Sequence, residues 1–241
     1  TSSKVENVAA LNQQGIKACQ LALPSNLDTV IQNPVFAQQC LVIAIPPQFR
    51  QGRTDYSDNI ELLVKAAQVQ AKVKRIILIS TTAIYAGLAH VVDENSQPCT
   101  DIEKVALINK AEQAVLAFPH QANVLRLAGL VGPERHPGKF LQAKKSLSHA
   151  TGAINLIHQV DALGLITSLM TEQSPVGIFN GVSDNHPSKK VYYQRAAQSL
   201  SLPIPHFADN LAQEPSRIVS GEKAKRELSH VFTYPDLLAW V

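Results

Sequence analysis

The sequence predicts an α/β fold, a mainly parallel sheet flanked by helices, and three observations carry that expectation. Cys40–Ile45, Ile76–Ile79 and Asn123–Leu127 are short apolar runs, the first two rich in β-branched residues, as buried strands require. Between them lie longer segments whose apolar residues recur at helical spacing. The run at Ile76 breaks abruptly into Ser80, Thr81 and Thr82, and strand carboxyl ends are where ligands collect in open parallel sheets. Strand, helix, strand, helix, strand in that order implies right-handed crossovers.

Taken in order, Val5, Val8, Ala9 and Leu11 predict a short helix that Gly15 stops. Ile16–Leu23 reads as a strand and Leu27–Ile31 as a helical turn. The strand Cys40–Ile45 ends at Pro46–Pro47, which donate no backbone hydrogen bond. Ile60, Leu63, Val64 and Ala67 share one face of a helix that follows the polar loop Gln48–Asp58. After the strand at Ile76, a loop to about Thr100 leads to a helix over about Ile102–Phe118, and then to the strand Asn123–Leu127. From Gly129 the punctuation by Gly132, Pro133, Pro137 and Gly138 predicts a long loop. Helix is expected over Phe140–Ser148, a short strand over Ala153–Ile157, and helix over Val160–Met170 with Leu163, Ile166, Thr167 and Met170 on one side. Gly177–Val182 reads as a strand, Val191–Leu200 as a helix, and Glu222–Leu228 and Tyr234–Val241 close the chain. With no repeat and no low-complexity linker, residues 1–130 are expected to form a core and 131–241 a smaller lobe packed on it.

Length and composition suit such a core. The net charge of +3 comes from scattered lysines and arginines rather than one basic face, so no nucleic-acid partner is expected. Cys19, Cys40 and Cys99 are odd in number and form no CxxC pair, which favours core thiols in a reducing compartment. No apolar run reaches membrane-spanning length and the start lacks a secretory apolar stretch, so a cytoplasmic protein without a membrane partner is expected. His90 with Asp93 and Glu94 is weak ligand spacing, and no metal site is predicted.

At the strand end, Thr81 or Thr82 suits hydrogen bonding to a substrate oxygen, and Tyr85 suits stacking on or bonding to a ligand. The blander reading is that Ser80–Thr82 satisfies the backbone and Tyr85 is a partly buried ring. Hydroxyls need an adjacent base before they act at neutral pH. Arg126 lies in an apolar run, so its charge must be paired or face a ligand cleft. Arg135, His136 and Lys139 suit an anionic substrate in a loop that Gly138 lets close, or are ordinary loop residues. Asp161 is placed to cap its helix, with His158 nearby. The chain contains no GxGxxG or GxxGxxG, so it shows no phosphate cradle of its own.

ILISTTAIYAG, VVDENSQP, NKAEQAV, NVLRLAGLVGPERHPGKF, NLIHQVDALGLITSLM, GIFNGVSD and SGEKAKREL occur in this order. Together they resemble the NAD(P)-dependent epimerase/dehydratase family of the extended short-chain dehydrogenase/reductase superfamily. The atypical branch of nucleoside-diphosphate-sugar epimerases is the nearer likeness. The resemblance implies a Rossmann-like sheet with a small C-terminal substrate lobe, NAD or NADP in the intact protein, and a small-molecule substrate such as a nucleotide sugar. It assigns Thr81 and Tyr85 to catalysis, Pro46, Ser80, Thr82 and Arg126 to the cofactor, and Arg135, His136, Lys139 and His158 to the substrate. The family's tyrosine and lysine stand four apart on the long helix. Anchored on Glu112, the tyrosine position holds Lys104, which is no phenol, and the lysine position holds Ile108, which has no charge. The resemblance also places Thr1–Ser2 near the ribose-recognising region and Leu23 where an aspartate is frequent. It therefore expects an N-terminally incomplete sheet, whose first strand, glycine-rich turn, first helix and second strand lie upstream of residue 1, or else a protein that has given up dinucleotide binding. An incomplete sheet exposes an edge and an apolar face, which points to association as a homodimer. The alternative expectation is a non-catalytic nucleotide-sensing or protein-interaction module on the same scaffold.

Overall fold

The computed structural model describes residues 1–140, 147–207 and 216–241. Eight helices are described: α1 (Val5–Gln13), α2 (Leu27–Val30), α3 (Tyr56–Gln70), α4 (Glu103–Leu116), α5 (Gln159–Leu169), α6 (Lys189–Ser199), α7 (Glu222–Leu228) and α8 (Leu237–Trp240). Eight strands accompany them: β1 (Cys40–Ile43), β2 (Arg75–Thr81), β3 (Val91–Val92), β4 (Gln121–Leu127), β5 (Gly129–Val131), β6 (Leu156–His158), β7 (Gly177–Gly181) and β8 (Ile218–Val219). The main sheet has the order β1-β2-β4-β7, and β1 runs parallel to β2 with Cys40 opposite Arg75 and Ile43 opposite Leu78. This is an α/β fold with a mainly parallel sheet flanked by helices.

The chain divides into two compact units, which interleave in sequence. The first comprises residues 1–80 and 100–124, and the second 81–99 and 125–241. In the first unit, Ile76, Ile77 and Leu78 of β2 are fully buried, which explains their unbroken apolar run. Each such side chain contributes about 1.5–3 kcal/mol on leaving water. α3 buries Ile60, Leu63, Val64 and Ala67 as its spacing predicts, and it ends at Ala71 in the left-handed region (φ 53°). α4 packs against α3 and buries Val105, Ile108, Ala111 and Val115.

Two short parallel pairings lie in the second unit, β3 with β8 and β5 with β6; β6 overlaps the strand expected over Ala153–Ile157, whereas β3 and β5 fall in segments whose sequence reads as loop. The expected strand over Ile16–Leu23 is reduced to one bridge between Ser2 and Gln20. Ser2 makes the backbone bonds of this bridge, its amide donating to the Cys19 carbonyl at 3.2 Å and its carbonyl accepting the Leu21 amide at 2.9 Å. Of the helix expected over Phe140–Ser148, residues 141–146 lie outside the described residues, while Leu147 bridges Phe207 in a parallel pairing. α5 buries Asp161, Ala162, Leu165 and Leu169, so the stripe of Leu163, Thr167 and Met170 faces outward. Among the described residues no helix is long and apolar enough to cross a membrane, and no cluster of three His, Cys, Asp or Glu side chains is placed to hold a metal.

Candidate functional site

In the first unit, the chain leaves β1 into a groove of about 200 Å³. Its walls are apolar at Leu21, Leu23 and Ile45 and polar at Ser2 and Ser3, and Pro46 lines it. That volume exceeds the roughly 150 Å³ that holds a benzene ring. The rim is rigid. Arg53 forks onto Asp55, with Nε 2.9 Å from Oδ1, and Asn59 adds a 3.1 Å bond from Nδ2 to the same carboxylate. The Arg53 hydrogen bond is the main cause that holds Asp55 down at about 2. Tyr56 is buried beneath, its hydroxyl pushed up by burial and, less, by Glu112.

Ser80, which the sequence assigns to the cofactor, gives its hydroxyl to the fully buried Glu112 at 2.5 Å. A buried carboxylate requires such donors, and the short strand-end hydroxyl supplies one. Between Ser80 and Thr81 the chain passes from the first unit to the second. Thr81 Oγ1 accepts the Ala83 amide at 3.2 Å and caps the 3-10 turn Thr82–Tyr85, while Thr82 is buried within that turn. Thr81 thus holds the backbone turn that follows the strand.

In the second unit, Tyr85 and Arg126 come together in a buried network. The Tyr85 ring is fully enclosed. Its hydroxyl donates to Asn180 Oδ1 at 2.9 Å and accepts from Arg126 Nη1 at 2.8 Å, and the Arg126 guanidinium lies 5.0 Å from the ring centroid. Burial is the main influence on the phenol and pushes its pKa up, Arg126 working against it. Asn180 extends the network, donating from Nδ2 to the Ser220 carbonyl at 2.9 Å and from its amide to Glu94 Oε1 at 2.8 Å. Burial raises Glu94 more than that amide lowers it. Tyr85, expected to face a ligand, is instead an enclosed node joining β4 to β7. Arg126 meets the requirement that an arginine in an apolar run be paired.

The four residues expected on the substrate divide. Arg135 Nε donates to the Leu130 carbonyl at 2.9 Å and its head lies over Phe140, and Lys139 is exposed. His136 Nδ1 accepts the Gly138 amide at 3.2 Å, and its ring meets Trp240 at 5.2 Å. His158 is buried against Tyr234 and Trp240, at 3.9 and 4.8 Å between ring centroids. Its Nδ1, not Asp161, caps α5 by accepting the Val160 amide at 3.3 Å. Asp161 holds the C-terminal segment, accepting the amides of Thr233 and Tyr234 at 2.6 and 3.0 Å. Burial lowers both His136 and His158 below the ordinary histidine value.

Asn180 escaped the sequence reading, and Glu94 entered it only beside His90 and Asp93, not in this network. Asn180 carried a usable signal, a lone amide in the apolar run GIFNGV, the same signal that singled out Arg126. Glu94 carried none, because its partner lies 86 residues away.

No family model matches the chain. Protein YeeZ of Escherichia coli K12 is 32% identical over 249 residues, which cover 99% of this chain and 88% of YeeZ. Among solved structures, a functionally unknown conserved protein from Silicibacter pomeroyi DSS matches with a TM-score of 0.71 at 22% identity, over 99% of this chain and 86% of that one. The UDP-glucuronic acid 4-epimerase of Bacillus cereus, solved in complex with NAD, matches with a TM-score of 0.72 at 16% identity, over 95% and 79%. The solved structures show that the chain shares their fold, and at 32% identity over nearly its whole length it belongs to the same family as Protein YeeZ.

Proposed function

We propose that this protein binds a nicotinamide adenine dinucleotide through its first unit and recognises a nucleotide sugar or related substrate through its second. The observation that carries the reading is the groove beyond β1, with apolar walls for a purine ring and the Ser2 and Ser3 hydroxyls for a ribose. Its place at the carboxyl end of a parallel strand agrees with where such sheets take ligands. The substrate class is supported by the fold shared with an epimerase of a UDP-sugar that was solved with NAD. The dinucleotide would supply hydride acceptance and return. The residues fit its adenosine end. No glycine-rich turn stands among them to hold the pyrophosphate, and no step is derived through the group.

One observation favours a second reading, binding without turnover. On α4 the helix positions of the family's tyrosine and lysine hold Lys104, which is exposed, and Ile108, which is fully buried. Neither is the tyrosine or the lysine that the family places there. The test is a fluorescence titration of NADH and NADPH into the protein and into Ile45→Arg, followed by assay of UDP-glucose and UDP-glucuronic acid for turnover. Saturable binding that Ile45→Arg weakens at least 10-fold is expected. Absence of dinucleotide binding to the unaltered protein overturns the reading. Turnover that survives in full with Thr81→Val would remove the strand end from any catalytic account.

A further inference from the structure

The last residues of the second unit lie as a strap across α5 and α6. Asp161, wholly buried in the first turn of α5, accepts the Thr233 and Tyr234 amides at 2.6 and 3.0 Å. Asn185 bonds the Pro235 carbonyl through its amide at 3.3 Å and Asp236 Oδ1 through Nδ2 at 2.7 Å. Arg195 Nε donates to the Leu238 carbonyl at 2.9 Å. Between these ties Leu237 is buried with Val131, Leu156 and Tyr192, and Trp240 packs against the same cluster.

His158 lies against this strap and can change its charge. Its ring meets Tyr234 at 3.9 Å and Trp240 at 4.8 Å, and the residue is 1% exposed. Nδ1 accepts the Val160 amide that caps α5, so the hydrogen of the neutral ring stands on Nε2. Nε2 is itself buried and has no acceptor among the described residues. A second proton enters at Nδ1, where it would face the Val160 N–H, so protonation and the cap exclude each other. The charged ring would hold two buried donors without acceptors. A cation–π gain at Tyr234 and Trp240 offsets one such loss, not both.

The neighbouring charges do not reverse this. Asp161 attracts the proton, but its oxygens are already spent on the two strap amides, and burial outweighs it to lower His158 below the ordinary histidine value. His230 Nε2 lies 3.4 Å from Asp161 Oδ1, and a protonated His230 would tie residue 230, upstream of the strap. His136 meets Trp240 at 5.2 Å, with the Lys139 charge opposing its protonation. From α6 come Arg195 and Tyr192, whose hydroxyl is buried without a partner.

We propose that residues 234–241 form a pH-sensitive strap, docked while His158 is neutral and released when His158 takes a second proton. Docking is complete above about pH 6.5 and weakens below it by at most about 10-fold per pH unit, one proton being involved. Release uncovers the apolar bed of Val131, Leu156 and Tyr192. None of these residues lines the groove beyond β1, so the strap and the dinucleotide reading stand or fall separately.

Trp240 is the one tryptophan of the chain, so its fluorescence reports the strap directly. Acrylamide quenching and far-UV circular dichroism of the full protein are measured together from pH 8 to 5, with His158→Asn and His136→Gln compared. Asparagine caps a helix and does not titrate. In the unaltered protein the quenching constant should rise about 3-fold on acidification while the helix signal holds. His136→Gln should keep the rise and His158→Asn should abolish it. A constant that stays level across the range overturns the strap, and so does a rise that coincides with loss of helix. A rise that persists in His158→Asn, or vanishes in His136→Gln, takes the role from His158 and overturns it equally. If His158→Asn does not fold, the His158 imidazole resonance of the unaltered protein is followed instead. The rise must then track that titration, and a titration completed without it refutes the proposal.

Discussion

Tyr85→Phe removes one oxygen and separates the two roles open to that side chain. The ring and its volume stay, so the guanidinium of Arg126 keeps its position 5.0 Å from the ring centroid. What goes is the hydroxyl between Arg126 Nη1 at 2.8 Å and Asn180 Oδ1 at 2.9 Å. Asn180 retains its bond to Ser220 but loses the donor to its own buried oxygen. One bond to a charged donor and one neutral bond, both enclosed, put the loss at about 2 kcal/mol after partial relaxation. At about 2–4 °C per kcal/mol for a chain of this size, the melting temperature should fall by about 4–8 °C. Urea denaturation of both proteins measures the free energy, and calorimetry the midpoint. Affinity for NADH should be nearly unchanged. A stability change below about 0.5 kcal/mol accompanied by altered ligand affinity would refute the reasoning, because it would place the hydroxyl on a ligand instead of in the core.

Two further outcomes follow from the second unit. A Cβ at Gly138 would lie 2.2 Å from the Ala196 carbonyl oxygen and 2.9 Å from its carbon. Both atoms are helix backbone in α6, so Gly138→Ala should cost about 1–3 kcal/mol in thermal denaturation, and an unshifted midpoint would refute the close packing. Acidification should also destabilise the protein. Burial lowers His136, His158 and His186 in the folded state, so they stay neutral there while the unfolded chain takes up protons near pH 6.5. Stability is therefore full above that value and is lost as pH falls through it, by at most about 1.4 kcal/mol per pH unit for each histidine. Melting temperatures between pH 8 and 5.5 check this, and a flat profile would show that these rings are not held neutral.

The central sheet was legible because β2 and β4 are buried nearly throughout and must read as apolar runs. Helices α3 and α4 were legible because each has one buried face. β3, β5 and β8 were not, since strands of two or three residues leave no periodicity and are set by partners distant in sequence. Asp161 illustrates the same limit. An acid in the first turn of a helix normally serves that helix, and here its two oxygens hold amides 72 and 73 residues away. His158 takes over the capping, which frees Asp161 for the C-terminal segment.

The strand-end hydroxyls have a composition that suits either a reactive site or an internal lock, and burial separates the two. Ser80 is 6% exposed and spent on Glu112, and Tyr85 is wholly enclosed. Both are fixed before any ligand arrives. A group already saturated by the protein contributes rigidity, since giving up a buried bond to reach a ligand would cost what the new bond returns. Leu21, Leu23 and Ile45, the apolar groove walls beyond β1, are not among these saturated groups. The strand end thus serves the core, and the Tyr85 carbonyl just beyond it accepts Arg217 Nη1 at 2.6 Å.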